Sequence, residues 1–576
     1  MEATAERLLN HDLPAEEEGS EYTSDGTVDI NKRPALRRTT GHWRACFWIL
    51  GVEFSEFLAF FGISKNLVTY LTTVLHESNA NAAANVSTWM GSCFFTPLIG
   101  AFLADTFWGR YWTIVISLSI YTMGMLTLTI STSLEFLIGS SYTIGIHRAA
   151  VYLALYLVAL GCGGIKACTS ALGADQFDGA DPVERVAKGS FFNWYFFAIS
   201  FGSLLSGTVL VWVQNNIGWG TGFATATFFT VVGLALLVAG RKVYRYKILE
   251  GSPLTRVFQV VVAAVRNYHL ILPEESPGLL DVSSPSEAKR KMEHTGEFRF
   301  LDKATIAMPS SGECESGAAP TSPWRLCTAA QVEELKMLLR MFPVWASMLV
   351  FFAVDAQKST TLIEQGMAMD NRVGRFTVPP ASVASFQVIS ALVCIPVYDA
   401  VLVPLTRRAT GKDRGLSQLE RLGVGLGMSV VAMAYAALVE ARRLAVGRAS
   451  GQIAGQIVAV SMSIMWQAPA YAMLGVAEVF NGIGVIEFFY DQSPDGMKSI
   501  GTSLAHLAVA AGSYLNSAVL GVVVWATARG GKPGWIPDNL NEGHLDYFFW
   551  LMAALSVVNL LHFLHFSTRY TGIKTP

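Results

Sequence analysis

Charges planted in apolar runs are the first chemistry this chain offers. Glu53 and Glu56 lie three apart in ILGVEFSEFLAFF, so a helix would show both on one face. Lys166 lies in LGCGGIKACTSALG, Asp355 and Lys358 in FFAVDAQKSTTL, and Glu487 in GIGVIEFFYDQ. A charge in the core of a bilayer costs a few kcal/mol on insertion scales, so each of these is a functional candidate. A carboxyl group in apolar surroundings keeps its proton toward neutral pH and is suited to carry protons, whereas a buried amine stays charged only beside a carboxylate. The plainer reading is a structural ion pair, and it weighs most for Asp355 and Lys358, which can meet at i, i+3. None of the seven cysteines has zinc or redox spacing, and the runs hold no nucleophile with a base. An enzyme is therefore not expected, nor a metal or cofactor.

The elements that must hold these charges are membrane helices. The chain is 52% hydrophobic and 15% charged, where a soluble one carries about 25% charged residues. A net charge of −2 argues against nucleic acid as a partner. Crossing a bilayer takes roughly 20 apolar residues. That length predicts spans near 45–72, 84–105, 111–132, 149–172, 190–213 and 219–240. Six more follow near 336–364, 379–406, 417–438, 461–489, 499–525 and 545–567. The reading is an all-α membrane protein: a largely disordered tail (1–44), a six-helix bundle (45–240), a polar linker with some amphipathic helix (241–335), a second bundle (336–567) and a short tail (568–576). Paired bundles predict a solute site between them at mid-membrane. Lys and Arg gather at 32–44, 241–247 and 407–414, which puts both termini in the cytoplasm; Arg442, Arg443 and Arg448 fall on the wrong side. Gly161, Gly163 and Gly164 beside Lys166 allow close packing or local unwinding.

Several long motifs then carry a resemblance. Gly100 to Arg110, with Asp105 and Gly109, resembles the signature of the major facilitator superfamily, and its carboxylate and arginine suit a conformational lock between helix ends. GCGGIKACTSALGADQFD, FFNWYFFAISFGSLLS and EFFYDQSPDGMKSIGTSL together resemble the plant nitrate and peptide transporter family, a branch of the proton-coupled oligopeptide transporters. EHTGEFRFLDKATI is most similar to its dipeptide-transporting members. The resemblance implies a major facilitator fold and proton-driven uptake by alternating access. It implies proton coupling at Glu53 and Glu56, although Phe57 replaces the arginine that follows them, and Phe60 and Phe61 replace a tyrosine pair that helps bind peptide. It implies that Lys166 pairs with Glu487 across the two halves in the state closed on the inner side. Asn193 matches a polar cavity residue, and Asp355 stands where one branch has a nitrate-binding histidine. Trp466 is a further candidate for the cavity wall, with packing as its plainer role.

The expected function is a secondary transporter of di- or tripeptides, or similar small nitrogen compounds, with protons. Its partners are a small-molecule substrate, protons and the lipid bilayer. Lys166 would hold a peptide carboxylate, and Glu487, with Asp355, its amine. The alternatives are nitrate, a plant hormone or specialised metabolite on the same fold, or a transport-impaired sensor. The plasma membrane is favoured over the vacuolar membrane.

Overall fold

The computed structural model describes residues 21–138, 144–178, 181–247, 253–269, 296–305, 324–411, 416–449, 459–494, 498–529 and 533–570. Among them, eleven continuous helical stretches are long and apolar enough to cross a bilayer, and the 55-residue stretch Asn79–Ser133 is two spans end to end. Twelve spans result. The break falls at Gly109, whose φ of 73° is open to glycine and strained for other residues.

The first half comprises His42–Thr73, Asn79–Leu103, Gly109–Ile138, Ile144–Ala174, Pro182–Leu205 and Trp219–Ala239. In the second half, the seventh span is Phe342–Asp355 continued by Thr361–Met367, and the eighth is centred on Ser385–Val397. Gln418–Ala449 is the ninth, Ala468–Glu478 with Gly484–Asp491 the tenth, Lys498–Thr527 the eleventh and Leu545–Ser567 the twelfth. Odd-numbered spans lead away from the side holding the chain ends and the linker, here the terminal side, and even-numbered spans return from the far side.

The glycines near Lys166 serve packing, since the fourth span is continuous helix through them. A side chain at Gly100 of the second span would strike the backbone of Gly163 and Gly164, and one at Gly161 would strike Tyr121 and the Ser117 carbonyl of the third. The fourth span is thus wedged between two neighbours at backbone distance. Lys166 follows directly after this wedge.

The halves are joined along the second and eleventh spans. Asn516 donates to Ser87 Oγ at 2.8 Å, Thr88 meets Ser517 at 2.8 Å, and Ser92 meets Tyr514 at 3.0 Å. Toward the far side, Asn79 bonds the Pro537 carbonyl at 3.1 Å and Asp538 at 3.3 Å. Toward the terminal side, Phe94 stacks on His506.

The lead-in to the first span and the end of the ninth differ from the sequence expectation, while the linker holds helix as expected. Residues 1–20 lie outside the described residues, but residues 21–41, expected within a disordered tail, form a bonded strap. Val28 exchanges backbone hydrogen bonds with Tyr246, and Arg37 pairs with Asp178 at 2.8 Å and Asp181 at 3.1 Å. In the linker, helices Pro253–Arg266 and Ala329–Arg340 enclose a small core with Leu301 and Ala304, and buried Lys336 bonds Asp302 at 2.6 Å. The ninth span runs eleven residues past its expected end at 438. Arg443, which looked like a misplaced topology signal, is fully buried there and makes a two-point pair with Glu440, 2.9 and 2.7 Å. A charge cancelled one helical turn away does not end a span.

That pair yields a test. Arg443→Ala leaves Glu440 buried without its cation, at a cost of about 3–5 kcal/mol. The thermal midpoint of the detergent-purified protein should fall sharply. Joint replacement, Glu440→Leu with Arg443→Met, should recover most of that loss; an equal loss in the double variant would contradict the account.

Candidate functional site

Each half holds one cluster of charge. The first belongs to the amino-terminal bundle. Glu53 and Glu56 sit on one face of the first span, each about 1% exposed, and Lys166 of the fourth span points back at them. The ammonium lies 3.3 Å from Glu56 Oε1. Tyr195 of the fifth span sets its hydroxyl beside Glu53. Three aromatic rings complete the enclosure, with Lys166 Nζ 4.0 Å from the ring centre of Phe57, 3.9 Å from Phe60 and 5.6 Å from Phe94. The Phe57 ring that stands in place of an arginine therefore takes up a cation by its π face, worth about 2 kcal/mol once desolvated. Phe61 receives a second amine, Lys65 Nζ, 5.1 Å from its centre.

The second cluster lies in the carboxy-terminal bundle, where the backbone is irregular. The seventh span breaks between Asp355 and Thr361, and the tenth loosens into a wide π turn over Val479–Ile483. Such breaks are frequent where helices present groups to a ligand. Lys358 Nζ bridges Asp355 at 2.7 Å and Glu478 at 3.6 Å. Gln387 of the eighth span donates to Glu478, and Tyr471 donates to the Lys358 carbonyl at 3.2 Å. The Glu478 side chain is 44% accessible, against 16% for Asp355 and 19% for Lys358. Lys65 reaches from the first half toward this group, its ammonium held by the carbonyl and hydroxyl of Ser203 at 2.6 and 2.8 Å.

Lys166 and Glu487, expected to pair in the state closed on the inner side, are not paired in the arrangement of the described residues. Lys166 finds its carboxylate in its own bundle, on Glu56. Glu487 is bound by Arg421 of the ninth span at 2.7 Å, near the terminal side. Each charge is satisfied by a helix of the same half. The acid that faces the gap is Glu478, about 13 Å nearer the far side at 1.5 Å per residue. It sits in YAMLGVAEVFNGIG, an apolar run like those of the other candidates, so the same criterion applied evenly finds it.

The remaining candidates separate. Phe60 is buried against Trp89 and Lys166, and Phe61 packs on Phe57 and Phe60. Trp466 lies at the far end of the tenth span under Arg442, 4.9 Å away, and is not brought to Lys166. The side chain of Asn193 lies outside the described residues. Arg110 bonds Asp175 and the Ala171 carbonyl at the end of the fourth span, so the carboxylate it grips directly is Asp175, with Asp105 acting on it at longer range.

The model of the POT family matches residues 111–536. The chain belongs to this family. Among its relatives in Arabidopsis thaliana, Protein NRT1/PTR FAMILY 8.3 is 48% identical over 564 residues, covering 96% of each chain. NRT1/PTR FAMILY 8.1 is 46% identical, covering 96% of this chain and 98% of that one. Solved structures share the fold. An auto-inhibited POT family peptide transporter matches at a TM-score of 0.69 and 23% identity, and PepTSo at 0.69 and 21%, each covering 92% of this chain and 99% of its own. This POT-family chain is thus a multi-pass membrane transporter, and its two charge clusters sit in a transporter fold.

The first cluster makes a prediction. In Lys166→Ala, Glu56 remains buried with no cation, and about 3–5 kcal/mol of stability is lost where the pair is fully enclosed. Transport should be nearly abolished while protein still reaches the membrane. Adding Glu56→Gln should restore the thermal midpoint without restoring transport, and near-normal uptake by Lys166→Ala would remove Lys166 from the mechanism.

Proposed function

We propose that this POT-family chain couples proton entry to uptake of small zwitterionic nitrogen compounds, di- and tripeptides foremost. The observation that carries the reading is the Asp355, Lys358 and Glu478 group: a water-accessible carboxylate at mid-membrane, tied to an amine that a ligand can displace. A peptide ammonium would take the place of Lys358 on Glu478, and the freed Lys358, with Lys65 opposite, would take the peptide carboxylate. Glu53 and Glu56 would carry the protons. Lys166 beside Glu56, caged by Phe57 and Phe60, would hold one of the two acids ionised and thereby separate their protonation steps. Both termini would face the cytoplasm, since Arg37, Arg38, Arg44, Arg241, Lys242, Lys247, Arg407 and Arg408 collect on the terminal side.

Nitrate fits this gap poorly, because Asp355 and Glu478 set negative charge where an anion would enter. The experiment is uptake into proteoliposomes, with an inward proton gradient, of a dipeptide panel, nitrate and plant hormones. Dipeptide uptake should rise with the gradient and fall at least tenfold in Glu478→Gln, the order of one charge-assisted hydrogen bond. Nitrate uptake well above that of Lys166→Ala would overturn the substrate assignment. A steeply acid-stimulated profile that is unchanged in Phe57→Arg would show that the Phe57 ring does not tune the coupling acids.

A further inference from the structure

Glu364 belongs to neither cluster. It lies in the far-side part of the seventh span, in Thr361–Met367, and is completely buried. Neither carboxyl oxygen has a hydrogen-bond partner among the described residues. Its neighbours in sequence fix where it points. Leu362 packs in a core shared with Ala80 and Ala83 of the second span, and Ile363 joins the core of the amino-terminal bundle. One turn back, Thr361 donates to Gln357 Oε1 at 2.6 Å, Gln357 donates to Asn516 at 2.6 Å, and Asn516 donates to Ser87. This chain of bonds crosses from the second half to the first. Farther out, Asn79 and Asp538 make the next crossing. Glu364 thus occupies the seam between the halves, with a polar link on either side and none of its own.

Asp538 is the charged group whose field reaches Glu364. The elements packed on this helical turn bring one cation, Lys358 of Ala356–Ser359, which is held by Asp355 at 2.7 Å and Glu478 at 3.6 Å; beside Glu364, Gln365 donates to Glu440 at 2.8 Å, whose own cation is Arg443. Leu67–Thr73 brings only Tyr70, which is turned to His147 at 3.1 Å and Thr132. The start of the second span, Pro380–Ala384 and Ile464–Gln467 bring no titratable group, and Asp370 of the adjoining strand accepts from the Arg372 amide. An ionised carboxylate in such a place has its desolvation cost and repulsion from Asp538 to bear, with no ion pair or hydrogen bond among the described residues to offset them.

We propose that Glu364 is a proton-binding latch between the halves: it takes a proton from the far-side compartment as the halves close there, and returns it to the same compartment when they part. Closing converts a hydrated carboxylate and a proton into a dry carboxyl group; opening readmits water and reverses the step. Because the proton leaves by the side it entered, Glu364 reports far-side pH and adds no charge to the transport stoichiometry. The closed form binds one proton more than the open form, so closure gains as pH falls.

This inference rests on the alternating-access reading, and its test needs no substrate. Spin labels on cysteines replacing Asn81 and Glu542, in full-length protein otherwise free of cysteine, report the far-side separation across the seam. The closed-to-open ratio should rise as pH falls. Glu364→Gln, neutral at every pH, should stay closed at alkaline pH, and the slope of the logarithm of that ratio against pH should drop by about one. Glu364→Met, neutral and of similar volume, should do the same and guards against an effect peculiar to the amide. A slope unchanged in both variants would overturn the latch while leaving alternating access intact. A parent protein that never opens on the far side, at any pH, would overturn alternating access itself.

Discussion

A bilayer leaves a buried charge two ways to exist: beside an opposite charge, or neutralised by a proton. The interior of this protein is sorted by that rule. Lys166 and Glu56, Arg443 and Glu440, and Arg421 and Glu487 take the first way, each within one bundle. Pairs confined to a bundle survive any motion of one half against the other, so they stabilise each half as a unit and leave the gap between halves free to change. Among the described residues, Glu53 beside Tyr195, Lys65 on Ser203 and Glu364 in the seam are left without an ion-pair partner.

The backbone follows the same division. Where charges are matched inside a bundle, as in the fourth and ninth spans, the helices run unbroken for 31 and 32 residues. Where charges face the gap, the helices are interrupted, at Ala356–Ser359 before Thr360 and at Val479–Ile483 after Glu478. An unbroken helix commits each side chain to a fixed bearing. A loosened turn leaves the acids and amines of the second cluster less fixed in bearing.

The twelve spans were legible in the sequence because apolar length is a local property, and the order of the two bundles followed from the polar stretch between them. The buried charges of the two clusters were legible for the same reason: Glu53, Glu56, Lys166 and Asp355 each interrupt an apolar run. Partner choice was not legible. Lys166 meets Glu56 across 110 residues, and only the glycine wedge of the second, third and fourth spans fixes the bearing that brings them together. Glu478 was hidden by its neighbour Glu487, which sits in a longer recognisable motif although its role is to hold Arg421. Residues 21–41 looked like a polar tail because their order comes from distant partners, Asp178, Asp181 and Tyr246, and from no periodicity of their own.

That strap has a mechanical consequence. Arg37 ties it to Asp178 and Asp181, Val28 ties it to Tyr246, and Arg245 beside it is buried against Glu184 at 2.7 Å. The first, fourth, fifth and sixth spans are thereby clamped at the same end, as the staves of a cask are held by a hoop. A cask tilts without its staves sliding, so a strap of this kind makes these four spans move as one body in any tilt of the half. The hoop is drawn from both ends of the first bundle, its lead-in and its lead-out, which makes the completeness of that bundle a condition for its stiffness.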